Sequence, residues 1–330
     1  MRVLLAGGGS GGHVTPLRAV VAELQKQHKQ LQTTVVSDRG FFKQTQFLFQ
    51  DETSVRLKRI FAGKFRRYHN MSLAWHVTHL PTVLKNLRDL FYIALGTLQS
   101  LILFITFRPE VVFCKGGFVC LPIGLVARLL RVPLIIHDSD THPGLTNRIL
   151  SRWAKKIATG APTRYYRYPQ KKTIFTGIPV STEYVPLSPK KQAACKVENG
   201  FSKDQPLLLV TGGGTGAKPL NDILLANAET LLKEGWQIAL VTGADKAEAA
   251  AAFAASLSPE LAPSFQAYEF TNLAPLVLAA DVVVSRAGAT ALQEFANAQK
   301  SVLLVPSPYL TGGHQLKNAE MFMEQNAAYI

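Results

Sequence analysis

The stretch MRVLLAGGGSGGHVTP (1–16) decides the fold class. An apolar run leads directly into a glycine-rich loop, and a helix-compatible sequence follows the loop. A buried strand, a glycine loop and a helix in this order form the first unit of a doubly wound α/β fold. Gly7, Gly9 and Gly12 fit the fingerprint G-x-G-x-x-G. Asp38 ends the next predicted strand, where an acid would bind a ribose.

The same pattern recurs along the whole chain. Apolar runs rich in Val, Ile and Leu alternate with helical stretches, which is typical of parallel sheets covered on both faces. Strands are predicted at 2–6, 33–38, 54–60, 110–114, 133–137, 155–161, 206–214, 237–243, 264–270, 281–288 and 301–308. We therefore expect an α/β protein with two doubly wound, Rossmann-like domains that face each other across a cleft.

Composition and charge divide the chain in two. The stretch 163–180 is rich in Pro, Gly, Tyr and basic residues and predicts a linker between domains at 1–162 and 181–330. Residues 1–175 carry 26 Lys/Arg and 8 Asp/Glu, whereas the remainder carries 10 and 14. The formal net charge of +14 is therefore +18 in the first half and −4 in the second. A polyanionic partner is expected to meet the first half.

Cysteine usage and the amino terminus indicate the compartment. The three cysteines (Cys114, Cys120 and Cys195) match no zinc or redox spacing, and a disulfide framework is implausible at this density. These features predict a reducing compartment. The apolar run at the amino terminus is too short for the core of a signal peptide, so we predict a cytoplasmic protein.

One segment has nearly the length of a membrane span. Residues 90–107 form an 18-residue stretch without a charge, bounded by Asp89 and Arg108. Polar residues interrupt the run, and a predicted strand follows at once. These features favour a buried or interface-facing helix over a transmembrane helix.

The stretch 56–76 (RLKRIFAGKFRRYHNMSLAWH) combines basic and aromatic residues. Its charges and apolar anchors are Lys58, Arg59, Lys64, Arg66 and Arg67, with Phe61, Phe65, Leu73 and Trp75. This combination is typical of an RNA-binding patch or of a segment that docks on anionic lipid, and a solvated loop is the third alternative.

Two further glycine loops follow predicted strands, KGGFVCLP (115–122) and TGGGTGA (211–217). Glycines let backbone amides approach a phosphate, and a helix N-terminus adds partial positive charge. A nicotinamide dehydrogenase needs one such loop. Loops in both domains indicate two phosphate-bearing ligands, as in transfer from a nucleotide-sugar to a phosphate-containing acceptor. His13, at the mouth of the first helix, is placed to bind charge or move a proton, or else to cap the helix.

Seven motifs then carry a resemblance to a known family. They are GGGSGGHVTP (7–16), KGGFVCLPIGL (115–125), PGLTN (143–147), TGIPV (176–180), GGGTGAKPLN (212–221), SRAGATALQE (285–294) and VPSPYLTGGHQLKNA (305–319). In this order and spacing the chain resembles the MurG family of glycosyltransferase family 28, with its GT-B fold. The resemblance implies inverting transfer of N-acetylglucosamine from UDP-GlcNAc to the muramoyl 4-hydroxyl of lipid I, which gives lipid II in peptidoglycan synthesis. It links the chain to cell-wall biogenesis, cell shape and cell division.

The resemblance implies roles for individual residues. Residues 1–162 become the acceptor and membrane-associating domain, and residues 181–330 the donor domain. The acceptor diphosphate would be held by Gly8, Gly9, Ser10, Gly11, Gly12, Gly116, Gly117 and Phe118. UDP-GlcNAc would be held by Ser181, Gly213, Gly214, Thr215, Gly216, Phe270, Glu294, His314 and Gln315. Phe270 stands where the family's backbone contacts the uracil, and Glu294 where an acid binds the ribose hydroxyls.

His13 and Asp140 are the candidate catalytic residues. His13 resembles a family residue that deprotonates the acceptor hydroxyl or binds the diphosphate. Asp140 would act on the acceptor hydroxyl as a base or an orienting group. Asp140 also completes a D-x-D (138–140), which holds a metal in another glycosyltransferase class, but the domain pattern differs from that class and we expect no metal or other cofactor.

The chain departs from the family pattern at several positions. Ser181 stands in place of an arginine near the donor diphosphate, and the loss of this charge-assisted contact costs roughly 1.5–3 kcal/mol. Other departures are Ile178 and Asp140 for asparagines, Phe118 for tyrosine, and Gly214 and Thr215 for a serine and a polar residue. The sequence stops within a predicted final strand, so we expect the last helices of the family to be absent.

The expected partners are lipid I, the anionic cytoplasmic leaflet of the bacterial membrane and other cell-wall synthesis proteins, without nucleic acid. The expected location is peripheral, on the cytoplasmic face. Two alternatives stay open: another GT-B glycolipid glycosyltransferase, and a catalytically impaired membrane-binding relative.

Overall fold

The computed structural model describes residues 1–64, 72, 78–213, 216–243, 245–307, 313–324 and 327–329. The chain forms two compact units, Met1–Pro179 and Val180–Ile330. Each unit contains a parallel sheet with helices between its strands, so the predicted α/β class with two Rossmann-like domains is confirmed.

The first unit is built on a seven-stranded parallel sheet in the order β3-β2-β1-β4-β5-β6-β7. Its strands are β1 (Arg2–Gly7), β2 (Gln32–Asp38), β3 (Val55–Ile60), β4 (Val111–Gly116), β5 (Leu134–Asp138), β6 (Lys156–Thr159) and β7 (Thr173–Phe175). Its helices are α1 (Gly11–Gln27), α2 (Phe42–Leu48), α3 (Leu80–Phe107), α4 (Cys120–Leu129) and α5 (Leu145–Leu150). β1 and β4 are neighbours although they are far apart in sequence, so the strand order reverses between them.

Apolar side chains cover both faces of this sheet, as the continuous apolar runs predict. Leu4 and Leu5 of β1 are both fully buried, one packed in each of two separate clusters. Val14, Leu17 and Val21 form the buried face of α1 at helical spacing and pack in the same cluster as Leu5. The central strands are therefore held on both sides, which fixes where their carboxyl ends lie.

α3 is longer than the predicted helix at 90–107. Pro81 lies in its first turn, where a missing amide is tolerated, and the helix ends at Arg108, which adopts a left-handed conformation before Pro109. Gly96 brings the helix against the chain that follows β3, because a Cβ there would lie 2.0 Å from the carbonyl oxygen of Phe61. α3 is therefore a packed part of the first unit.

α3 is also long and apolar enough to cross a membrane, by length and composition. Of its most apolar stretch, 28% is buried within the fold. The helix therefore has one buried side and one exposed apolar side, so the buried and the interface-facing alternatives each describe one side of it.

The stretch 163–180 contains regular structure. Two short 3₁₀ turns, Thr163–Tyr165 and Gln170–Lys172, precede β7, which pairs with β6. The predicted linker therefore contributes the last strand of the first sheet, and the division between units falls after Pro179.

The second unit contains a five-stranded parallel sheet in the order β10-β9-β8-β11-β12. Its strands are β8 (Leu207–Thr211), β9 (Gln237–Val241), β10 (Phe265–Tyr268), β11 (Val282–Ser285) and β12 (Ser301–Leu304). Its helices are α6 (Pro189–Glu198), α7 (Lys218–Lys233), α8 (Glu248–Ser256), α9 (Leu273–Ala279), α10 (Ala289–Asn297) and α11 (His314–Met323). Here the strand order reverses between β8 and β11.

A buried ion pair fastens α6 to this sheet. The Lys196 ammonium lies 2.6 Å from Asp281 Oδ2 and donates to the carbonyl of Gln205. Asp281 precedes β11 and accepts hydrogen bonds from the Leu207 amide and from the Gln192 side chain. The lysine side chain is 7% exposed and the aspartate side chain 36%, so solvent screens only one end of the pair.

Replacing Lys196 with methionine is expected to lower the free energy of unfolding by about 2 kcal/mol. Removing one partner leaves Asp281 without its cation, and the cost lies below the roughly 3–5 kcal/mol of a fully buried pair because Asp281 is partly solvated. Urea denaturation followed by circular dichroism measures the change. The control is Lys233→Met, which removes an exposed pair with Glu229 and should change stability by at most about 0.5 kcal/mol. Equal effects of the two substitutions would contradict the prediction.

Candidate functional site

The glycine loops follow the strands at which each sheet reverses its order. In the first unit these are the loops after β1 and β4, and in the second unit the loops after β8 and β11. Where the strand order reverses, the connections that follow the two neighbouring strands run to opposite faces of the sheet. This leaves a crevice outside the carboxyl ends of the strands, which is where doubly wound folds bind ligands. The predicted site residues therefore form two sets, one in each unit.

In the first unit the two loops touch through their backbones. A Cβ on Gly117 would lie 2.2 Å from the carbonyl oxygen of Gly8, and Gly117 has a φ of +83°. Gly116 has a φ of +127°, and a Cβ there would lie 3.1 Å from the His13 ring. Residues without a side chain are thus required at both positions, which brings the predicted acceptor residues Gly8, Gly116, Gly117 and His13 together.

Gly9 and Phe118 join the same cluster. A Cβ on Gly9 would lie 2.8 Å from Phe118 Cε1, so the phenyl ring packs directly on the first glycine loop. The Gly9 amide donates to Asp38 Oδ1 at 2.6 Å, and the Phe41 amide donates to Asp38 Oδ2. The Asp38 carboxylate therefore holds the loop, which favours a structural use over the ribose-binding role.

His13 is held in one orientation at the start of α1. Its Nδ1 lies 2.8 Å from the carbonyl oxygen of Gly8, which is an acceptor, so Nδ1 carries the proton and Nε2 has the free lone pair. Burial lowers the pKa of His13, and the positive charge of Lys115 lowers it further, against the opposing charge of Asp140. The imidazole is therefore neutral at pH 7 and able to accept a proton at Nε2.

The remaining acceptor residues form the N-terminus of α1. Ser10 is the N-cap residue, and its hydroxyl lies 3.2 Å from His13 Nδ1 without capping the helix. Gly11 and Gly12 are the first helical residues, and the first turn carries no acidic side chain. The partial positive charge of the helix end is therefore not neutralised by its own turn.

The two aspartates after β5 differ in environment. Asp138 is buried and accepts a hydrogen bond from the Tyr168 hydroxyl at 2.7 Å. Burial raises the pKa of Asp138 to about 7. Asp140 is half-buried, and its charge acts on both His13 and Lys115. The D-x-D pair thus splits into an inward-facing and a partly accessible carboxylate, and within the described ranges no three His, Cys, Asp or Glu side chains cluster as metal ligands do.

Lys115 was not predicted as a site residue. It lies near the end of β4 with 1% of its surface exposed, and its ammonium donates to the Ser139 hydroxyl. The signal in the sequence is a lysine at the end of an otherwise apolar strand, directly before Gly116. A buried lysine in such a position needs anionic or polar partners, which the loop after β5 supplies.

In the second unit the loop after β8 also makes a close backbone contact. A Cβ on Gly216 would lie 2.2 Å from the Thr242 carbonyl oxygen, which follows β9. Gly213 has a φ of +76°, and no atom lies within 4 Å of its Cβ position. The backbone at Gly213 therefore leaves open space beside it, whereas Gly214 and Thr215 lie outside the described residues.

Glu294 is buried on α10. Burial raises its pKa to about 8, against a hydrogen bond with the side chain of Tyr184. The backbone amide of Tyr184 donates to the Ser181 carbonyl, so Ser181 begins the turn that carries the Tyr184 ring to Glu294. Two predicted donor residues, Ser181 and Glu294, are thus connected through a tyrosine that the sequence did not single out.

The loops after β11 and β12 are tied to α11. Gln315 accepts from the Ser307 amide at 2.9 Å, and Asn318 donates to the Ala287 carbonyl. Arg286, directly after β11, donates to the Val305 carbonyl at 2.8 Å and so ties the loop after β11 to the loop after β12.

The other two predicted donor residues also lie at this end of the sheet. His314 is the first residue of α11, directly before Gln315, and is half-buried. Phe270, also half-buried, lies two residues beyond β10. Both therefore follow the carboxyl ends of strands, where α/β sheets bind ligands.

The basic and aromatic stretch 56–76 is described in part. Phe65, Arg66, Arg67, Leu73 and Trp75 lie outside the described residues. Phe61 stacks on Tyr92 at a centroid distance of 5.2 Å and beneath the Arg39 guanidinium. These contacts within the fold do not favour its predicted role as an apolar anchor, whereas Lys64 is exposed.

The exposed apolar residues of the first unit are concentrated on α3. They are Leu80, Leu84, Leu87, Leu90, Phe91, Leu98, Ile102 and Ile105, each more than half exposed. Most are spaced by three or four residues, which places them on one side of the helix. We call this set the α3 apolar face. A continuous exposed stripe of this kind is typical of a surface that contacts a partner or a membrane.

Comparison with known proteins identifies relatives of the whole chain. Residues 3–159 match the family described as "Glycosyltransferase family 28 N-terminal domain", and residues 207–330 match "Glycosyltransferase family 28 C-terminal domain". A relative from Bacillus cereus is named "UDP-N-acetylglucosamine--N-acetylmuramyl-(pentapeptide) pyrophosphoryl-undecaprenol N-acetylglucosamine transferase 2". It is 31% identical over 332 residues, which cover 100% of this chain and 86% of the relative. A relative of the same name, without the numeral, from Bacillus licheniformis is 32% identical and is covered to 85% of its length.

Solved structures show the same relationship. The crystal structure of Acinetobacter baumannii MurG superimposes with a TM-score of 0.63 and 26% identity, covering 100% of this chain and 85% of that one. The glycosyltransferase of kitacinnamycin superimposes with a TM-score of 0.62 at 14% identity, covering 99% of this chain and 85% of that one, and shares the fold alone.

Glu294→Gln is expected to stabilise the protein at pH 8 and not at pH 5. The folded state holds the Glu294 proton up to about pH 8, whereas the unfolded chain releases it near the ordinary value of 4.5. Stability from this group is therefore present below pH 4.5 and is lost as the pH rises towards 8. The neutral glutamine removes this loss, a gain on the order of a few kcal/mol at pH 8.

Urea denaturation at both pH values measures the effect. The control is Glu320→Gln on α11, an exposed glutamate that should give no gain dependent on pH. An identical response of Glu294→Gln and Glu320→Gln would show that the Glu294 carboxyl is ionised at little cost.

Proposed function

Because the chain belongs to glycosyltransferase family 28, we propose that it transfers N-acetylglucosamine from UDP-GlcNAc to the muramoyl 4-hydroxyl of lipid I. The product is lipid II, and the chain acts in peptidoglycan synthesis. The observation that carries this proposal is the similarity to the Bacillus cereus transferase, which spans the whole of this chain. The glycine loops at the reversal of each sheet supply the two phosphate sites that such a transfer requires.

The acceptor diphosphate would bind at the loops after β1 and β4. The residues Gly8–Gly12, Gly116, Gly117 and Phe118 lie at this end of the first unit, where the Gly9 amide is already bonded to Asp38. The N-terminus of α1, with no acid in its first turn, adds positive charge that is fixed in place before the substrate arrives. This arrangement favours a diphosphate without requiring a metal ion or another cofactor.

His13 would remove the proton from the acceptor hydroxyl. In the transfer, the hydroxyl oxygen forms a bond to the anomeric carbon from the face opposite the diphosphate, the bond to UDP breaks, and the anomeric configuration inverts. His13 Nε2 accepts the hydroxyl proton, since Nδ1 is held by the Gly8 carbonyl. The Asp140 charge favours the imidazolium that forms, so Asp140 orients and stabilises the base.

The donor would bind at the carboxyl ends of the second sheet. The N-termini of α7 and α10 follow the glycine loops after β8 and β11, and neither first turn carries an acid. They would stabilise the charge that builds on the departing diphosphate. Gly213, Gly214, Thr215 and Gly216 would form the cradle, and Ser181 would contribute a hydroxyl but no charge.

The other donor residues would recognise the nucleoside and the sugar. Glu294, released from Tyr184, would bind the ribose hydroxyls. The Phe270 backbone would contact the uracil. His314 and Gln315, at the N-terminus of α11, would contact the N-acetylglucosamine.

Incubation with UDP-GlcNAc and a lipid I analogue is expected to give the disaccharide lipid, detected by mass spectrometry. His13→Ala should lower kcat about 10²- to 10⁴-fold, because it removes the base. The control is His28→Ala, which changes an exposed histidine at the other end of α1 and should leave turnover unchanged.

Other outcomes would select the alternatives. Transfer from a different nucleotide-sugar in a donor panel would identify another glycolipid glycosyltransferase. UDP binding without transfer would identify a catalytically impaired relative, for which Ser181 in place of arginine gives a physical reason. Full activity of His13→Ala would remove His13 from the mechanism.

The first unit would bring the enzyme to its lipid substrate at the cytoplasmic face of the membrane. The α3 apolar face supplies exposed hydrocarbon surface, and the first half carries the excess of Lys and Arg. Anionic lipids attract such a basic surface, and apolar side chains then enter the interface. Because Gly96 packs α3 against Phe61, the helix would lie on the membrane as part of the folded unit instead of crossing it.

The triple variant Leu84→Gln/Leu87→Gln/Phe91→Gln is expected to bind anionic vesicles several-fold more weakly in sedimentation. Each substitution removes exposed apolar surface from the α3 apolar face and leaves the buried side intact. The control is Ile223→Gln, which changes an equally exposed residue on α7 of the second unit. Binding to neutral vesicles that equals binding to anionic ones and is insensitive to salt would exclude the electrostatic contribution.

A further inference from the structure

Lys115 is a buried cation beside the acceptor site with no role in the mechanism described above. Only 1% of its surface is exposed, and its ammonium donates to the Ser139 hydroxyl. Burial lowers the pKa of Lys115 to about 8, while the carboxylates of Asp140 and Asp138 oppose this change. Lys115 is therefore still protonated at pH 7. With its ammonium buried and bonded to Ser139, Lys115 is a group that supports the site from within.

Two carboxylates share this one cation. Asp138 faces inward and is hydrogen-bonded to Tyr168, and burial raises its pKa to about 7, against the attraction of Lys115. Asp140 lies two residues further, on the other side of Ser139, and is half-buried. The contact from Lys115 to Ser139 thus fastens the middle of the segment that carries both acids.

His13 faces the same cluster from α1. The carboxyl end of β4 runs directly beneath its ring, because a Cβ on Gly116 would lie 3.1 Å from His13 Cδ2. The charged groups acting on the imidazole are Lys115 from β4, Asp140 from the loop after β5 and Asp38 from β2. The Gly8 carbonyl is the polar contact, and Cys120 of α4 also acts on Lys115.

We propose that Lys115 is a positioning residue of the acceptor site, whose buried ammonium fastens the Ser139–Asp140 segment and excludes a second positive charge from His13. Burial already lowers the pKa of His13 and the Lys115 charge lowers it further, so His13 Nε2 stays ready to take the acceptor proton as the pH falls below neutrality. This inference rests on the proposed function for its catalytic consequence, but the coupling between the two charges exists in the protein without substrate.

The sign of the effect follows from electrostatics. The positive charge of Lys115 disfavours protonation of His13, so removing this charge raises the pKa of His13. On acidification, a variant without the charge therefore protonates His13 at a higher pH than the unchanged protein does. Above about pH 8 Lys115 of the unchanged protein is itself neutral. The unchanged protein and a variant without the charge should therefore differ below pH 8 and converge above it.

Lys115→Met is the central test, because it keeps the length of the side chain and removes the charge. NMR titration of isotope-labelled histidine in the full chain without substrate reports the pKa of His13 directly. We expect the pKa of His13 to rise in Lys115→Met and to stay unchanged in Lys29→Met, which removes an exposed lysine two residues beyond the end of α1. Asp140→Asn should shift the pKa of His13 in the opposite direction. If Lys115→Met does not fold, Lys115→Gln tests the same coupling, because it removes the charge and keeps a donor for Ser139.

The pH profile of turnover gives the second readout. Lys115→Met should lower kcat/KM roughly five-fold at pH 6 and leave it close to the unchanged protein at pH 9. Lys115→Arg, which restores the positive charge, should recover activity at pH 6.

The outcomes separate this inference from the proposed function. The same His13 titration in Lys115→Met and in the unchanged protein would overturn the inference, as would shifts of the same sign in Lys115→Met and Asp140→Asn. A shifted titration with an unchanged acidic limb of the kcat/KM profile would overturn the catalytic consequence. A shifted titration in a protein that transfers no sugar would support the charge coupling and overturn the proposed function.

Discussion

The backbone contact between Gly8 and Gly117 is the constraint on which the acceptor end of the first unit depends. β1 and β4 are neighbours at the reversal of strand order, so the loops that follow them emerge side by side. They can touch only because Gly117 has no side chain. His13 rests on the second loop, and Phe118 packs on the first. A methyl group on Gly117 would push the two loops apart, and a methyl group on Gly8 would lie 2.4 Å from Asp38 Oδ1, which holds the first loop.

Charge is buried at the ligand-binding ends of both units, at a cost in stability. Lys115, Asp138 and Glu294 all have pKa values displaced towards the neutral form by burial. Well-packed apolar residues at these positions would often be neutral or stabilising. Displaced pKa values of this kind concentrate at functional sites, because catalysis and binding need groups whose protonation differs from that in water. The main clusters of the sheets are apolar, and these three groups lie at or beyond their carboxyl ends, whereas the Lys196–Asp281 pair lies at the start of β11.

Local patterns in the sequence were sufficient for the fold and for the position of the glycine loops. Strand, loop and helix alternate clearly, and the rule that ligands bind at carboxyl ends places the candidate residues. Features that depend on tertiary contacts were missed. β7 is three residues long and forms the edge of the sheet by pairing with β6. α3 begins ten residues before its predicted start, because charged residues between Leu84 and Leu90 interrupt the apolar run without interrupting the helical spacing.

The candidate site was predicted unevenly for the same reason. The glycine loops can be recognised from the sequence alone, since a loop that binds phosphate through its backbone needs glycines. Asp38 has the right spacing for a ribose ligand, yet its carboxylate holds the Gly9 amide, and spacing cannot distinguish the two uses. Lys115 is a buried partner of Ser139, and its burial follows from which face of β4 it occupies. Tyr184 reaches Glu294 across a distance of more than 100 residues in sequence, which no local pattern reveals.

The short connection between α3 and β4 links the position of the α3 apolar face to the position of the glycine loop after β4. Only Arg108, Pro109 and Glu110 separate the end of the helix from the strand, and the Glu110 amide is bonded to the Arg2 carbonyl at the edge of β1. β4 then runs about 17 Å to Gly116, with no flexible joint on the way. Any surface that holds α3 at a fixed depth therefore also fixes the height of Gly116 and Gly117 above it. The first unit would thus set a fixed distance between that surface and the glycine loops, which suits a head group tethered to a bilayer better than one free in solution.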